Sequence, residues 1–189
     1  MTHALIVGGT GMLRHATLHL ATQHTTVSVV ARTQQRLETL AQEISADNGH
    51  LNPVALDYRD TTTLQTQLKH AIQQFGPISL TVCWIHSVAP EAPFVVAETV
   101  GNEHSICRYI DVVGSAGADP SQAALERIAR IQRIPKIAYQ RVILGFVQER
   151  GYSRWLTDAE ISEGVLHAVE HADQEKCTVG AVHPWSARP

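Results

Sequence analysis

Cysteine is scarce in this chain of 189 residues, and Cys83, Cys107 and Cys177 show no C-x-x-C spacing. That excludes a disulfide framework and a cysteine-built metal site. The three thiols lie in apolar, strand-like stretches, as reduced and buried cysteines of a cytoplasmic protein do. An excess of either charge is also missing. The formal net charge is −3, which gives no general pull on nucleic acid or an anionic membrane, so any phosphate binding must come from a local cluster. No apolar run approaches the roughly 18 residues of a membrane span, and MTHALIVGG at the N-terminus has no basic segment leading into a long apolar one. A soluble, cytoplasmic protein is expected. Repeats, low-complexity tracts and linkers are lacking as well, and the length suits one compact domain over residues 1–189.

What is present is an alternation of two patterns. Short β-branched runs recur at 4–7, 26–30, 52–56, 78–85, 109–113, 141–147 and 177–182. They are continuously apolar rather than alternating, as strands buried on both faces are. Between them lie helical stripes: Leu37, Leu40, Ala41 and Ile44, then Leu64, Leu68, Ala71 and Ile72. A last helix is expected to open at Thr157, with Glu160 completing a capping box and Ile161, Val165 and Val169 on one face. The fold class expected is α/β, a Rossmann-type, doubly wound parallel sheet of about seven strands with helices on both faces. The segment 87–107 is the least readable, with Pro90 and Pro93 preceding a short helix.

VGGTGMLRHA, residues 7–16, leaves the first strand and opens a helix with Leu13, Ala16 and Leu20 facing inward. A glycine turn in that position lets the backbone approach a pyrophosphate, and the helix directs free N–H groups and its positive end at it. Gly8, Gly9, Thr10, Gly11, Met12 and Leu13 form the candidate cradle. A site for NAD would carry an acidic residue at the end of the second strand, to bind the ribose 2′-hydroxyl. This chain reads VVARTQQR there, so Arg32, Thr33 and Arg36 take that place, and Arg14 leaves the glycine loop on the same side. Guanidinium meets phosphate oxygens bidentately, which points to the 2′-phosphate of NADP(H). The plainer reading is a set of solvated surface arginines.

With these features the chain resembles the short-chain dehydrogenase/reductase superfamily, in a shortened form, over most of its length. GGTGML is similar to the family's cofactor loop without its final glycine. Asp57, followed by Tyr58, resembles the acidic residue that contacts the adenine. Trp84, Ile85, His86 and Ser87 stand where the family has Asn-Asn-Ala-Gly. VVGSAG resembles the fifth strand with its catalytic serine, here Ser115, and Gly145, Phe146 and Val147 resemble the segment that cradles the nicotinamide. The departure is the family's proton donor, a Tyr with a Lys four residues on. The corresponding helix, SQAALERIARIQRIP, contains neither and is short, and Tyr109, Tyr139 and Tyr152 lack a lysine at that spacing. His86, at the carboxyl end of a strand, is a candidate acid, its alternative being a hydrogen-bonded structural imidazole. Residues 148–157 stand where the family builds a mobile lid, making Tyr152, Arg154 and Trp155 candidate pocket residues. The pairs His15/His19 and His167/His171 have zinc-compatible spacing without a supporting acid, and no metal is expected.

Two functions follow. One is an NADPH-dependent reductase of a small carbonyl-like or imine-like substrate, with Ser115, His86 and Tyr152 as candidate catalytic residues. The other is a non-catalytic NADP(H)-binding redox sensor. The partner expected is a small-molecule substrate; a homo-oligomer is left open, because the helices with which the family assembles lie beside the shortened segment; nucleic acid and membrane are not expected.

Overall fold

The computed structural model describes residues 2–46, 50–149 and 151–189. Strands β1 (His3–Val7), β2 (Thr26–Ala31), β3 (Leu51–Ala55), β4 (Ile78–Trp84), β5 (Cys107–Gly114) and β6 (Ile137–Leu144) alternate with helices α1 (Arg14–Gln23), α2 (Gln34–Ala46), α3 (Thr61–Phe75), α4 (Ala92–Gly101) and α5 (Gln122–Gln132). A hairpin of β7 (Phe146–Glu149) and β8 (Tyr152–Trp155), then α6 (Asp158–Glu170) and β9 (Lys176–Val179), complete the chain. The sheet order is β3-β2-β1-β4-β5-β6-β9, parallel throughout. This is the doubly wound Rossmann-type fold, and its order reverses between β1 and β4, where ligands of open α/β sheets bind.

Both faces of the sheet are covered, which explains the unbroken apolar strands. Ala4 and Ile6 of β1 join Leu13, Ala16 and Leu20 with Ile161 and Val165 of α6 on one face. Leu5 and Val7 join Leu64 and Leu68 of α3 with Val96 and Val100 of α4 on the other. The Thr157–Glu160 capping box forms: the Thr157 N–H donates to Glu160 Oε2 at 2.8 Å, and the Glu160 N–H donates to Thr157 Oγ1 at 3.3 Å. Ile161 and Val165 are buried as expected, Ala168 is buried with them, and Val169 is partly buried against the same core. All three cysteines are buried and free.

The run 141–147, expected as one strand, is two. Strand β6 starts four residues earlier and stops at Leu144, because the chain after β9 crosses directly over Gly145. The Gly145 N–H donates to the Val179 carbonyl at 2.9 Å, and a Cβ on Gly145 would lie 2.1 Å from the Ala181 carbonyl oxygen. Phe146 then begins an antiparallel hairpin, so residues 148–157 are largely β7 and β8. The expected strand at 177–182 ends at Val179 for a related reason: Gly180 turns at φ +74°. In the obscure segment, α4 carries Pro93 in its first turn, where a missing N–H costs nothing. Among the described residues, no helix is long and apolar enough to cross a membrane.

Candidate functional site

The loop from β1 to α1 is shaped by its glycines, each for its own reason. Gly8 sits at φ +86° with its N–H donating to the Val30 carbonyl at 2.9 Å, in a region that side chains disfavour. Gly9 is packed so closely that a Cβ would lie 2.8 Å from both Thr17 Oγ1 and Val29 Cγ1. Gly11 has neither constraint: a Cβ there meets no protein atom within 4 Å. Helix α1 begins without a side-chain cap or an acidic residue in its first turn; its Arg14 N–H donates to the Gly11 carbonyl at 2.9 Å, and no side chain opposes the positive end of its dipole.

A cleft of about 220 Å³ opens at the carboxyl ends of β1, β2 and β4, lined by Gly8, Thr10, Gly11 and Met12 from the glycine loop. Arg32, Thr33 and Arg36 form its second wall, and Tyr58, Trp84 and His86 close it. Among the described residues, neither Arg32 nor Arg36 forms an ion pair. Arg14 is placed differently: its guanidinium pairs with Glu43 on α2, and it does not line the cleft. Asp57 is likewise paired and does not line the cleft. Its carboxylate accepts from Arg59 Nε at 2.9 Å and from the Arg59 N–H at 3.0 Å, and Arg59 holds its pKa down at about 2. Leu13 is buried beneath the loop, and Ile85 packs against the core.

A second cavity of about 300 Å³ adjoins the first and shares Met12 and Trp84 with it. Ser115 lines it from a 3-10 turn, Ser115–Ala118, directly after β5, along with Gly145 and, from the other side, Trp155, Leu156, Ile161 and Arg188. Ser115 is only 5% exposed, and its hydroxyl, which forms no hydrogen bond among the described residues, is not sealed off within the protein. Phe146 is fully buried, and Val147 pairs with Arg154 in the hairpin; neither lines either cavity. Arg188 was not foreseen in the sequence. It lies far along the chain from every motif, and only the crossing of the last segment over Gly145 brings it in.

The candidate acids are not gathered around Ser115. His86 is exposed, lines the first cleft, and packs edge-on against Trp84 with ring centroids 5.3 Å apart; its backbone N–H donates to Tyr58 Oη at 3.4 Å. Tyr152 is 59% exposed on β8, donates to Glu149 Oε2 at 2.7 Å, and borders an outer hollow instead. Arg154 is bound to Glu149 and Glu160. The remaining two tyrosines are locked in the core. Tyr109 donates to the Pro93 carbonyl at 3.1 Å, and Tyr139 donates to the buried Asp111 at 2.9 Å, with burial first and then Asp111 raising the Tyr139 pKa far above the ordinary phenol value. None of the four tyrosines therefore lines the Ser115 cavity. The rings of His167 and His171 lie 3.9 Å apart, and among the described residues no three metal-binding side chains converge.

Residues 2–84, the part that holds the glycine loop, the arginines and Trp84, match the sequence profile of the short chain dehydrogenase family. No curated protein matches the sequence. Many solved structures share the fold, and three of them show its range. A provisionally assigned oxidoreductase from Escherichia coli str. K-12 has a TM-score of 0.76 at 15% identity, covering 100% of this chain and 98% of that one. An actinorhodin polyketide ketoreductase variant with NADPH has a TM-score of 0.71 at 14% identity, covering 95% of each chain. An NAD+-bound xylitol dehydrogenase has a TM-score of 0.71 at 11% identity, covering 94% of this chain and 97% of that one. Residues 2–84 thus carry the sequence pattern of the short chain dehydrogenase family, and the described chain shares the fold of these solved structures.

Proposed function

We propose that the two joined cavities form one groove for NADP(H), and that the protein reduces a small carbonyl-like or imine-like substrate beside Ser115. The observation that carries this is the pair of unpaired arginines, Arg32 and Arg36, facing the glycine loop across a cleft that continues past Trp84 to Ser115. Solved neighbours of this fold include both an NADPH and an NAD+ complex, so the fold leaves the choice of cofactor open. The arginines supply it, because a 2′-phosphate rewards cations where a bare 2′-hydroxyl calls for an acid. Arg14, paired with Glu43, is left a minor part in this reading.

The residues present fit the cofactor. Gly8 and Gly9 shape the loop, and Gly11 leaves room beside the pyrophosphate position. Arg32, Thr33 and Arg36 hold the 2′-phosphate, and Tyr58 flanks it. A bound nicotinamide supplies a hydride, and the second cavity is where that chemistry belongs. There Ser115, free of other hydrogen bonds, donates to the reacting oxygen or nitrogen and orients it. The proton then comes from water, since neither a tyrosine nor His86 lines that cavity.

The same observation favours a second reading, a non-catalytic NADP(H) sensor that keeps the cradle without an acid beside the nicotinamide position. Loss of NADPH absorbance over a panel of aldehydes, ketones and imines separates the two. A slow reductase is expected to lose about a hundredfold in kcat with Ser115→Ala and little with His86→Ala. Turnover that Ser115→Ala leaves unchanged contradicts the assignment. NADPH binding without turnover of any panel compound establishes the sensor.

A further inference from the structure

The wall of the Ser115 cavity contributed by the last segment of the chain carries a charge that the reaction itself does not require. Trp84, Leu144, Leu156 and Ile161 make most of that cavity apolar, and among the described residues Arg188 is the only charged one that lines it. Among the described residues Arg188 has no carboxylate partner. Its guanidinium carbon instead lies over two indole rings, 4.7 Å from the Trp185 centroid and 5.2 Å from that of Trp155. Aromatic faces engage the plane of a guanidinium and leave the N–H groups at its edge available to oxygen acceptors.

The segment leading to Arg188 is joined to the body of the fold at Ala181. Phe146 and Ala181 exchange both backbone hydrogen bonds, at 2.9 and 2.8 Å, and a Cβ on Gly180 would lie 2.7 Å from the Phe146 carbonyl oxygen. The Arg188 N–H donates to the Trp185 carbonyl at 3.2 Å, closing the last turn. Arg188, itself an exposed residue, lines both the cavity that holds the Ser115 hydroxyl and the outer hollow beside Tyr152, and not the cleft of Arg32 and Arg36.

We propose that Arg188 recognises a carboxylate on the molecule that enters the Ser115 cavity, so that the substrate is a carbonyl compound bearing an acid group. Ser115 meets the reacting oxygen, and Arg188 meets the anionic end, giving two polar anchors in an apolar cavity where a charge-assisted hydrogen bond is strong. This rests on the reading of that cavity as the substrate end of an NADP(H) groove.

Benzoate and benzamide, nearly equal in size and differing in charge, are the probes, titrated into the protein with and without NADPH and followed by tryptophan fluorescence. Benzoate is expected to bind at least about tenfold more tightly than benzamide. Arg188→Gln should remove that preference, and Arg188→Lys should keep part of it. Both variants should hold NADPH as wild type does. Equal binding of the two probes, no binding of benzoate, or a preference that survives in Arg188→Gln overturns the proposal. So does an Arg188→Gln variant that loses NADPH affinity with its probe selectivity unchanged, since the guanidinium would then serve the cofactor. Failure of NADPH to bind wild type contradicts the NADP(H) groove, while Arg188-dependent benzoate selectivity measured without NADPH still assigns the carboxylate site.

Discussion

Gly11 and Gly8 respond differently to a side chain, and the difference separates folding from binding. A Cβ on Gly11 meets no protein atom within 4 Å, whereas Gly8 sits at φ +86° with the Trp84 carbonyl oxygen 3.0 Å from its Cβ position. Gly11→Val is expected to fold with wild-type stability and to lose NADPH binding by about a hundredfold or more, because the side chain occupies ligand space rather than protein space. Gly8→Val should lose stability as well, by about 1–3 kcal/mol. Thermal melts with NADPH titrations of both variants check the pair, and normal cofactor binding by Gly11→Val would place the pyrophosphate elsewhere. At this scale much of the cleft was legible. The turn glycines, Arg32 and Arg36 are adjacent in sequence to strand ends, and adjacency is what a single chain displays. The pairings of Arg14 with Glu43 and of Asp57 with Arg59 were not legible, because strand and loop patterns do not reveal which side chains meet.

Among the elements, α5 carries an ion pair that ties it to the sheet. Asp111 of β5 is 3% exposed and accepts from Arg127 of α5 and from Tyr139 of β6. Burial raises the Asp111 pKa, and Arg127 opposes that shift. Removing the cation alone leaves a buried carboxylate without its counter-charge, so Arg127→Met is expected to cost about 3–5 kcal/mol, with the double variant Arg127→Met/Asp111→Asn recovering part of it. Urea unfolding of the single and double variants measures this. An Arg127→Met variant of wild-type stability would show that the pair contributes nothing. The hairpin β7–β8 was not legible in advance. Its residues continue the apolar pattern of β6, and only the crossing of residues 179–181 over Gly145 forces the break. Local patterns record which side chains are buried, not which distant backbone passes above a glycine.

For the molecule as a whole, the alternation of apolar runs and helical stripes was enough to reach the parallel sheet. Continuous burial on both faces has few other solutions. The amino-terminal edge of that sheet also sets a pH limit on stability. His3 bridges the Gly76 carbonyl and Ser28 Oγ, each at 2.8 Å, and burial lowers its pKa; burial, then His3, lower that of the neighbouring His24, whose Nδ1 has no hydrogen-bond partner. Both imidazoles are held neutral in the folded state, while the unfolded chain protonates near 6.5. Their contribution is therefore fully present above that value and is lost as pH falls through the lowered folded pKa values. Denaturant midpoints should drop between about pH 7 and about pH 5, and His3→Gln should flatten that slope. A midpoint independent of pH over this range would remove the histidines from the account.

The central claim is that the groove selects its cofactor through the cations at the end of β2. Calorimetric titration of NADPH and NADH into the wild-type protein and into Arg32→Asp tests it most directly. With each charge-assisted contact to phosphate contributing about 1.5–3 kcal/mol, wild type should bind NADPH at least about tenfold more tightly than NADH. Arg32→Asp should weaken NADPH far more than NADH and bring the two constants together. Equal dissociation constants in the wild-type protein would contradict the account.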